Sequence, residues 1–142
     1  MTVKKLKNKK SFYNREISWL HFNSRVLQEA ADQTVPLIER IRFLGIFSNN
    51  LDEFFRVRYA NVKRMLETGK PLSEKNIDID PRELLEQITQ IVIQKQAYSL
   101  EILQDIIEEL KKEDIYIVDE TDLNAEHAKF VRNYFMEKVQ PA

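Results

Sequence analysis

Apolar residues recur every three or four positions along most of the chain, the spacing that gathers side chains on one face of an α-helix. Trp19, Phe22, Val26 and Ala30, with Leu20, Leu27 and Ala31 beside them, predict a first helix over residues 18–32. Ser18 is its expected cap, and Ile17 is expected to staple onto Phe22. Thr34 and Pro36 open a second helix that runs over 35–68 and is stopped by Gly69 and Pro71. On its wheel Leu44, Phe47, Leu51, Phe55, Val62 and Met65 form the core face, while Arg42, Asn49, Glu53, Arg56 and Lys63 lie opposite. Asp80, Pro81 and Glu83 supply a cap, a first-turn proline and an early acid for a third helix over 81–112, on which Leu84, Leu85, Ile88, Ile91, Val92, Ile102, Leu103, Ile106 and Leu110 keep helical spacing. Ile115, Tyr116, Ile117 and Val118 are too few and too β-branched for another helix and predict an extended segment. Asn124 then caps a last helix over 124–139 carrying Phe130, Val131, Tyr134 and Phe135. The fold class is therefore all-α, an antiparallel bundle-like domain of about four helices with a short extended segment before the last.

The second helix contains a local conflict. Gly45 and the run Ser48, Asn49, Asn50 are poor helix formers, costing together about 2 kcal/mol relative to alanine, which a purely structural helix would avoid. Asn50 falls on the border between the apolar and polar faces, where a carboxamide can face a cleft with a donor pair and an acceptor. The competing structural reading makes Asn50 the cap of a break in the helix, with Glu53 completing a capping-box pattern. Arg58 shares the face of Leu51 and Val62, unlike Arg56, and an arginine there must be paired, as in a structural bridge to a carboxylate, or must snorkel.

Charge and composition narrow the chemistry. The 142 residues carry a formal net charge of -1, against the basic excess usual in nucleic-acid domains. A polyanion surface through Arg42, Arg56, Lys63 and Arg64 is further weakened by the interleaved Glu39, Glu53 and Glu67, so no nucleic-acid partner is expected. The absence of cysteine excludes disulfides and thiolate metal sites. Lys4, Lys5, Lys7, Lys9 and Lys10 are not followed by the apolar run of a signal peptide, so a disordered basic tail over residues 1–11 and a cytoplasmic location are expected, peripheral membrane attachment being the alternative. No phosphate-binding glycine loop, HExxH or nucleophile elbow occurs. His21 and His127 fall on different helices, and Asp52 and Glu53, as helix neighbours, point about 100° apart. No catalytic residue and no metal ligand is assigned to this chain.

Two stretches carry a family likeness. Residues 12–32, from Phe12-Tyr13-Asn14-Arg15-Glu16-Ile17-Ser18-Trp19-Leu20 through Phe22-Asn23-Ser24-Arg25-Val26-Leu27-Gln28-Glu29-Ala30-Ala31-Asp32, resemble the opening helix of the long-chain, phosphohistidine-type polyphosphate kinases. Residues 36–60, which contain Ser48-Asn49-Asn50-Leu51-Asp52-Glu53-Phe54, resemble that family's second helix. The resemblance implies an N-terminal helical domain over 12–113 that positions nucleotide and supports assembly, followed over 114–142 by the truncated start of a head domain. It implies that the full-length enzyme reversibly transfers the terminal phosphoryl group of ATP to inorganic polyphosphate, through a phosphohistidine and with magnesium, both placed outside this chain. It implies Asn50 as an ATP-binding position, ATP, ADP and polyphosphate as partners, and a homodimer or homotetramer. It also permits a functional reading of Arg58, as a cation facing the nucleotide or the following domain, beside the structural bridge. The fragment alone is expected to be inactive. The alternative, from a different class, is a helical protein–protein interaction module that binds no ligand.

Overall fold

A computed structural model describes residues 14–69 and 80–141, which leaves the lysine-rich segment and Pro71 outside the described residues. Every regular element among the described residues is helical, in agreement with the all-α expectation. The chain divides into two units, Met1–Ile106 and Ile107–Ala142.

In the first unit, α1 spans Arg15–Ala31. It starts earlier than the apolar spacing predicts because Asn14, not Ser18, is the cap: the Asn14 side chain accepts hydrogen bonds from the Glu16 and Ile17 amides at 2.9 and 3.3 Å. Two orphan donors of the first turn are thereby satisfied. The buried row of α1 is Leu20, Asn23, Leu27 and Ala30, whereas Phe22 is 61% exposed. The buried face is thus rotated by one residue from the expected one, and Phe22, the expected staple partner of Ile17, lies on the exposed side of α1. A small polar side chain proved more compatible with the interior than a large aromatic one, because Asn23 finds hydrogen-bond partners there.

The turn after α1 is built on Asp32, whose Oδ1 accepts from the Thr34 amide at 2.8 Å and from its hydroxyl at 2.7 Å. Thr34 is therefore spent in the turn, and Pro36 alone precedes α2, Leu37–Glu53. A π-helical stretch, Phe54–Tyr59, and then α3, Ala60–Thr68, continue the same helical run. Gly45 and Ser48 to Asn50 do not interrupt it. Asn50 lies inside α2, and its backbone oxygen accepts from the Phe54 amide, which excludes the cap reading of Asn50. The run stops at Gly69, which has φ 63° and donates its amide to Met65 O at 2.9 Å, a left-handed cap suited to glycine.

Along this run Arg40, Phe47, Leu51, Phe54 and Val62 are buried. Leu44, Phe55 and Met65 are half-buried, and Arg42, Asn49, Glu53, Arg56 and Lys63 are exposed as the wheel predicts. Buried Arg40 was not foreseen. Its Nε donates to Ala30 O at 2.7 Å, satisfying a carbonyl at the end of α1 where the helix supplies no partner of its own. Polar contacts join Ala30 to Arg40, Asn23 to Phe47 and Glu16 to Arg58, so α1 and the following run lie antiparallel.

The 32-residue α4, Pro81–Lys112, has the predicted bounds, and Asp80 Oδ1 accepts from the Arg82 amide at 3.1 Å. Leu84, Ile88, Val92, Ile102 and Ile106 form its buried row within the first unit. In the second unit α4 closes on Asp114, at φ 59°, with the Ile115 amide donating to Leu110 O and the Asp114 amide to Lys111 O. These are the two bonds of a Schellman cap, with aspartate in the position glycine usually takes. Residues 115–119, where an extended segment was expected, have no regular structure. α5, Ala125–Tyr134, is capped as expected by Asn124, whose Oδ1 accepts from the His127 amide at 2.8 Å, and a π-helical stretch, Phe135–Val139, follows.

Candidate functional site

The residues with chemistry beyond packing gather where the first half of α1 meets the end of α2 and the π-helical stretch. Asn23 is 1% exposed. Its Nδ2 donates to Phe47 O at 3.2 Å, and its Oδ1 accepts from Asn50 Nδ2 at 2.9 Å. Asn50 itself is half-buried, as its border position on the wheel requires. No buried side-chain nitrogen or oxygen among the described residues lacks a partner. Asn50 Oδ1 accepts no hydrogen bond there, so it is open to solvent.

One to two turns further on, the side chains become aromatic and cationic. Trp19 stacks on Phe54 with centroids 5.1 Å apart and an interplanar angle of 21°. Phe54 meets Phe55 edge-on at 5.9 Å, and Phe55 meets Tyr59 at 4.9 Å. Arg58 lies over this group with Cζ 5.6 Å from the Trp19 ring centroid, while its Nη1 donates to Glu16 Oε2 at 3.0 Å. Of the alternatives the sequence left open for Arg58, the structure shows the bridge to a carboxylate. Arg56 points outward and lies 4.0 Å from Glu53, with both side chains mostly in water.

Chemically the cluster offers an oriented amide beside an aromatic group and a cation already neutralised by Glu16, features suited to recognition. His21 on α1 and His127 on α5 are both exposed and belong to different units. Asp52 and Glu53 are exposed and share no hydrogen bond. Among the described residues no group of three His, Asp or Glu side chains is placed to hold a metal ion, and no helix is long and apolar enough to cross a membrane.

Asn23 was missed by sequence reasoning, although a signal was available. Positions 20, 23, 27 and 30 form a helical row, and an asparagine on such a row must be hydrogen-bonded inside or end the face. Anchoring the wheel on Trp19 and Phe22 concealed it.

The sequence profile described as the polyphosphate kinase N-terminal domain matches residues 12–118. Polyphosphate kinase of Vibrio cholerae serotype O1 is 44% identical over 132 residues, 93% of this chain and 18% of the relative. Polyphosphate kinase of Klebsiella pneumoniae is 40% identical over 126 residues, 89% of this chain and 18% of the relative. That of Escherichia coli K12 is 39% identical over 131 residues, 92% of this chain and 19% of the relative. The chain thus spans less than a fifth of the length of these relatives. No solved structure matches the chain significantly.

Proposed function

Since the chain belongs to the polyphosphate kinase N-terminal domain family, we infer that it serves as the nucleotide-positioning and assembly domain of an enzyme that reversibly transfers the terminal phosphoryl group of ATP to inorganic polyphosphate. The observation that carries this reading is the family match across most of the chain, joined to an Asn50 carboxamide whose oxygen is open while its nitrogen is held by Asn23. Phosphoryl transfer demands a nucleophile, in-line geometry and cationic stabilisation of the transferring group. The described residues offer positioning only. On this reading magnesium and the phosphorylated histidine of the proposed reaction are supplied by the rest of the enzyme.

Residues 114–142 are proposed as the start of the following head domain. Tyr116, Val118, Phe130 and Val131 support this, because they are exposed and line an open groove of about 730 Å³ with Leu123 and His127, a surface suited to burial by further chain. A homo-oligomeric enzyme and a cytoplasmic location complete the reading.

The test is Asn50→Ala in the full-length enzyme. KM for ATP should rise about tenfold with kcat within about twofold, the pattern of a lost binding contact. The domain should also lose about 1 kcal/mol, because Asn23 Oδ1 is left buried without its donor. Unchanged ATP dependence would remove Asn50 from the site. The isolated 142-residue chain should neither make polyphosphate nor acquire acid-labile phosphate on His21 or His127.

A further inference from the structure

Amide orientation in this cluster is dictated from the inside outward. A backbone carbonyl can only accept, so the Asn23 group 3.2 Å from Phe47 O must be its NH2. That turns Asn23 Oδ1 toward Asn50, and the Asn50 group 2.9 Å away must then be its own NH2. Reversing either amide would set two oxygens against each other at a place where Asn23 is 1% and Phe47 3% exposed. The consequence reaches the surface: Asn50 is obliged to present Oδ1, an acceptor, on its open side.

We propose that Asn23 is a positioning residue that locks the Asn50 carboxamide with its oxygen outward, making the nucleotide site selective for 6-aminopurines over 6-oxopurines. This rests on the reading of Asn50 as a nucleotide contact. Adenine carries an N6 amine that donates to such an oxygen, whereas guanine and hypoxanthine place an O6 acceptor at the same position. Two acceptors facing each other lose the hydrogen bond and leave both groups partly desolvated. A freely rotating asparagine would escape this conflict by turning its NH2 outward, and the Phe47–Asn23–Asn50 chain forbids that rotation. Discrimination therefore originates in a residue that need not touch the ligand.

The experiment uses the full-length enzyme with ATP and with inosine triphosphate, which differ in the 6-substituent and in the N1 proton that accompanies the 6-oxo group. The wild type should favour ATP in kcat/KM by about tenfold or more, the value of one hydrogen bond that a mismatched partner leaves unpaired. Asn23→Ala frees the Asn50 amide to turn. KM for ATP should then rise several-fold, kcat should stay within about twofold, and the preference should fall to about threefold or less. Asn23→Asp, which keeps the acceptor for Asn50 Nδ2, should restore the preference even if the protein is less stable, an outcome that a merely structural role for Asn23 would not produce. A wild-type preference within about twofold overturns the proposal whatever the variants do, so poor folding of a variant leaves it testable. If Asn50→Ala abolishes the preference and Asn23→Ala does not, the contact stands and the positioning role fails. If Asn50→Ala changes neither KM nor preference, the nucleotide reading of Asn50 fails as well.

Discussion

Removing the Arg58 side chain should destabilise the helical domain in a way that removing Arg56, two residues earlier, should not. Arg58 is 30% exposed and Glu16 is 16% exposed, with 3.0 Å between the paired atoms, so solvent screens this bridge incompletely. Such a pair contributes about 1 kcal/mol, and the guanidinium above the Trp19 ring adds about 0.5–1 kcal/mol. Truncation also leaves Glu16 mostly buried beside Arg15 at 3.6 Å, a poorer partner. The expected loss for Arg58→Ala is therefore about 2 kcal/mol, or roughly 5–10 °C in Tm for a domain of this size. Arg56 is 76% exposed and 4.0 Å from Glu53, so Arg56→Ala should move Tm by less than about 2 °C. Arg58→Lys keeps the charge but loses the planar stacking group and should fall between the two. Thermal unfolding followed by circular dichroism at 222 nm, a standard helix wavelength, reads all three in one buffer. Equal Tm values for Arg58→Ala and Arg56→Ala would refute the assignment of Arg58 to a stabilising contact.

Three further outcomes follow from particular contacts. Asn14→Ala should cost about 1 kcal/mol in urea unfolding and Ser18→Ala less than about 0.5 kcal/mol, whereas the reverse order would restore Ser18 as the cap. Arg40→Met should cost about 2 kcal/mol by leaving Ala30 O buried without its donor, and an unchanged unfolding midpoint would show that water replaces the guanidinium there. The two hydrogen bonds from Thr34 hold the Asp32 carboxyl below its ordinary value of 3.8. A depressed acid contributes stability above its unfolded-state pKa and loses it as pH falls through the folded value, so the advantage of wild type over Asp32→Asn should be full at neutral pH and shrink below about pH 3.8. An advantage independent of pH would count against the turn contacts.

Helix existence was legible in the sequence wherever punctuation and period agreed. Asp80-Pro81 and Lys112 bounded α4 correctly, and Asn124 capped α5, because both signals are local. The start of α1 was misread because its cap, Asn14, lies four residues before Ser18 and ahead of the apolar row, and an apolar side chain at position 22 was weighed by size rather than by the row it shares. Arg58 was placed correctly, since a cation on an apolar face admits few solutions. Arg40 and Asn23 were not, because their partners are main-chain oxygens of a neighbouring helix, Ala30 O and Phe47 O, and every residue carries such an oxygen. The π-helical turn at Phe54–Tyr59 likewise left no signature in the period, since side chains four apart stay on nearly the same face with or without it.

The contacts between α1 and its partner helix also set an order in time. Arg40 and Ala30 are 10 residues apart, Asn23 and Phe47 24, Asn23 and Asn50 27, and Glu16 and Arg58 42. Each pair encloses the one before it, so once the turn at Asp32 has formed, every later contact closes only a small additional loop and costs little further chain entropy. Such a hairpin zips outward from Arg40 and frays from the opposite end. Glu16 and Arg58 close last in folding and open first in native-state fluctuation, which makes them the latch of the hairpin, while the Asn23–Asn50 bond, nearer the turn, outlasts the lifting of that latch.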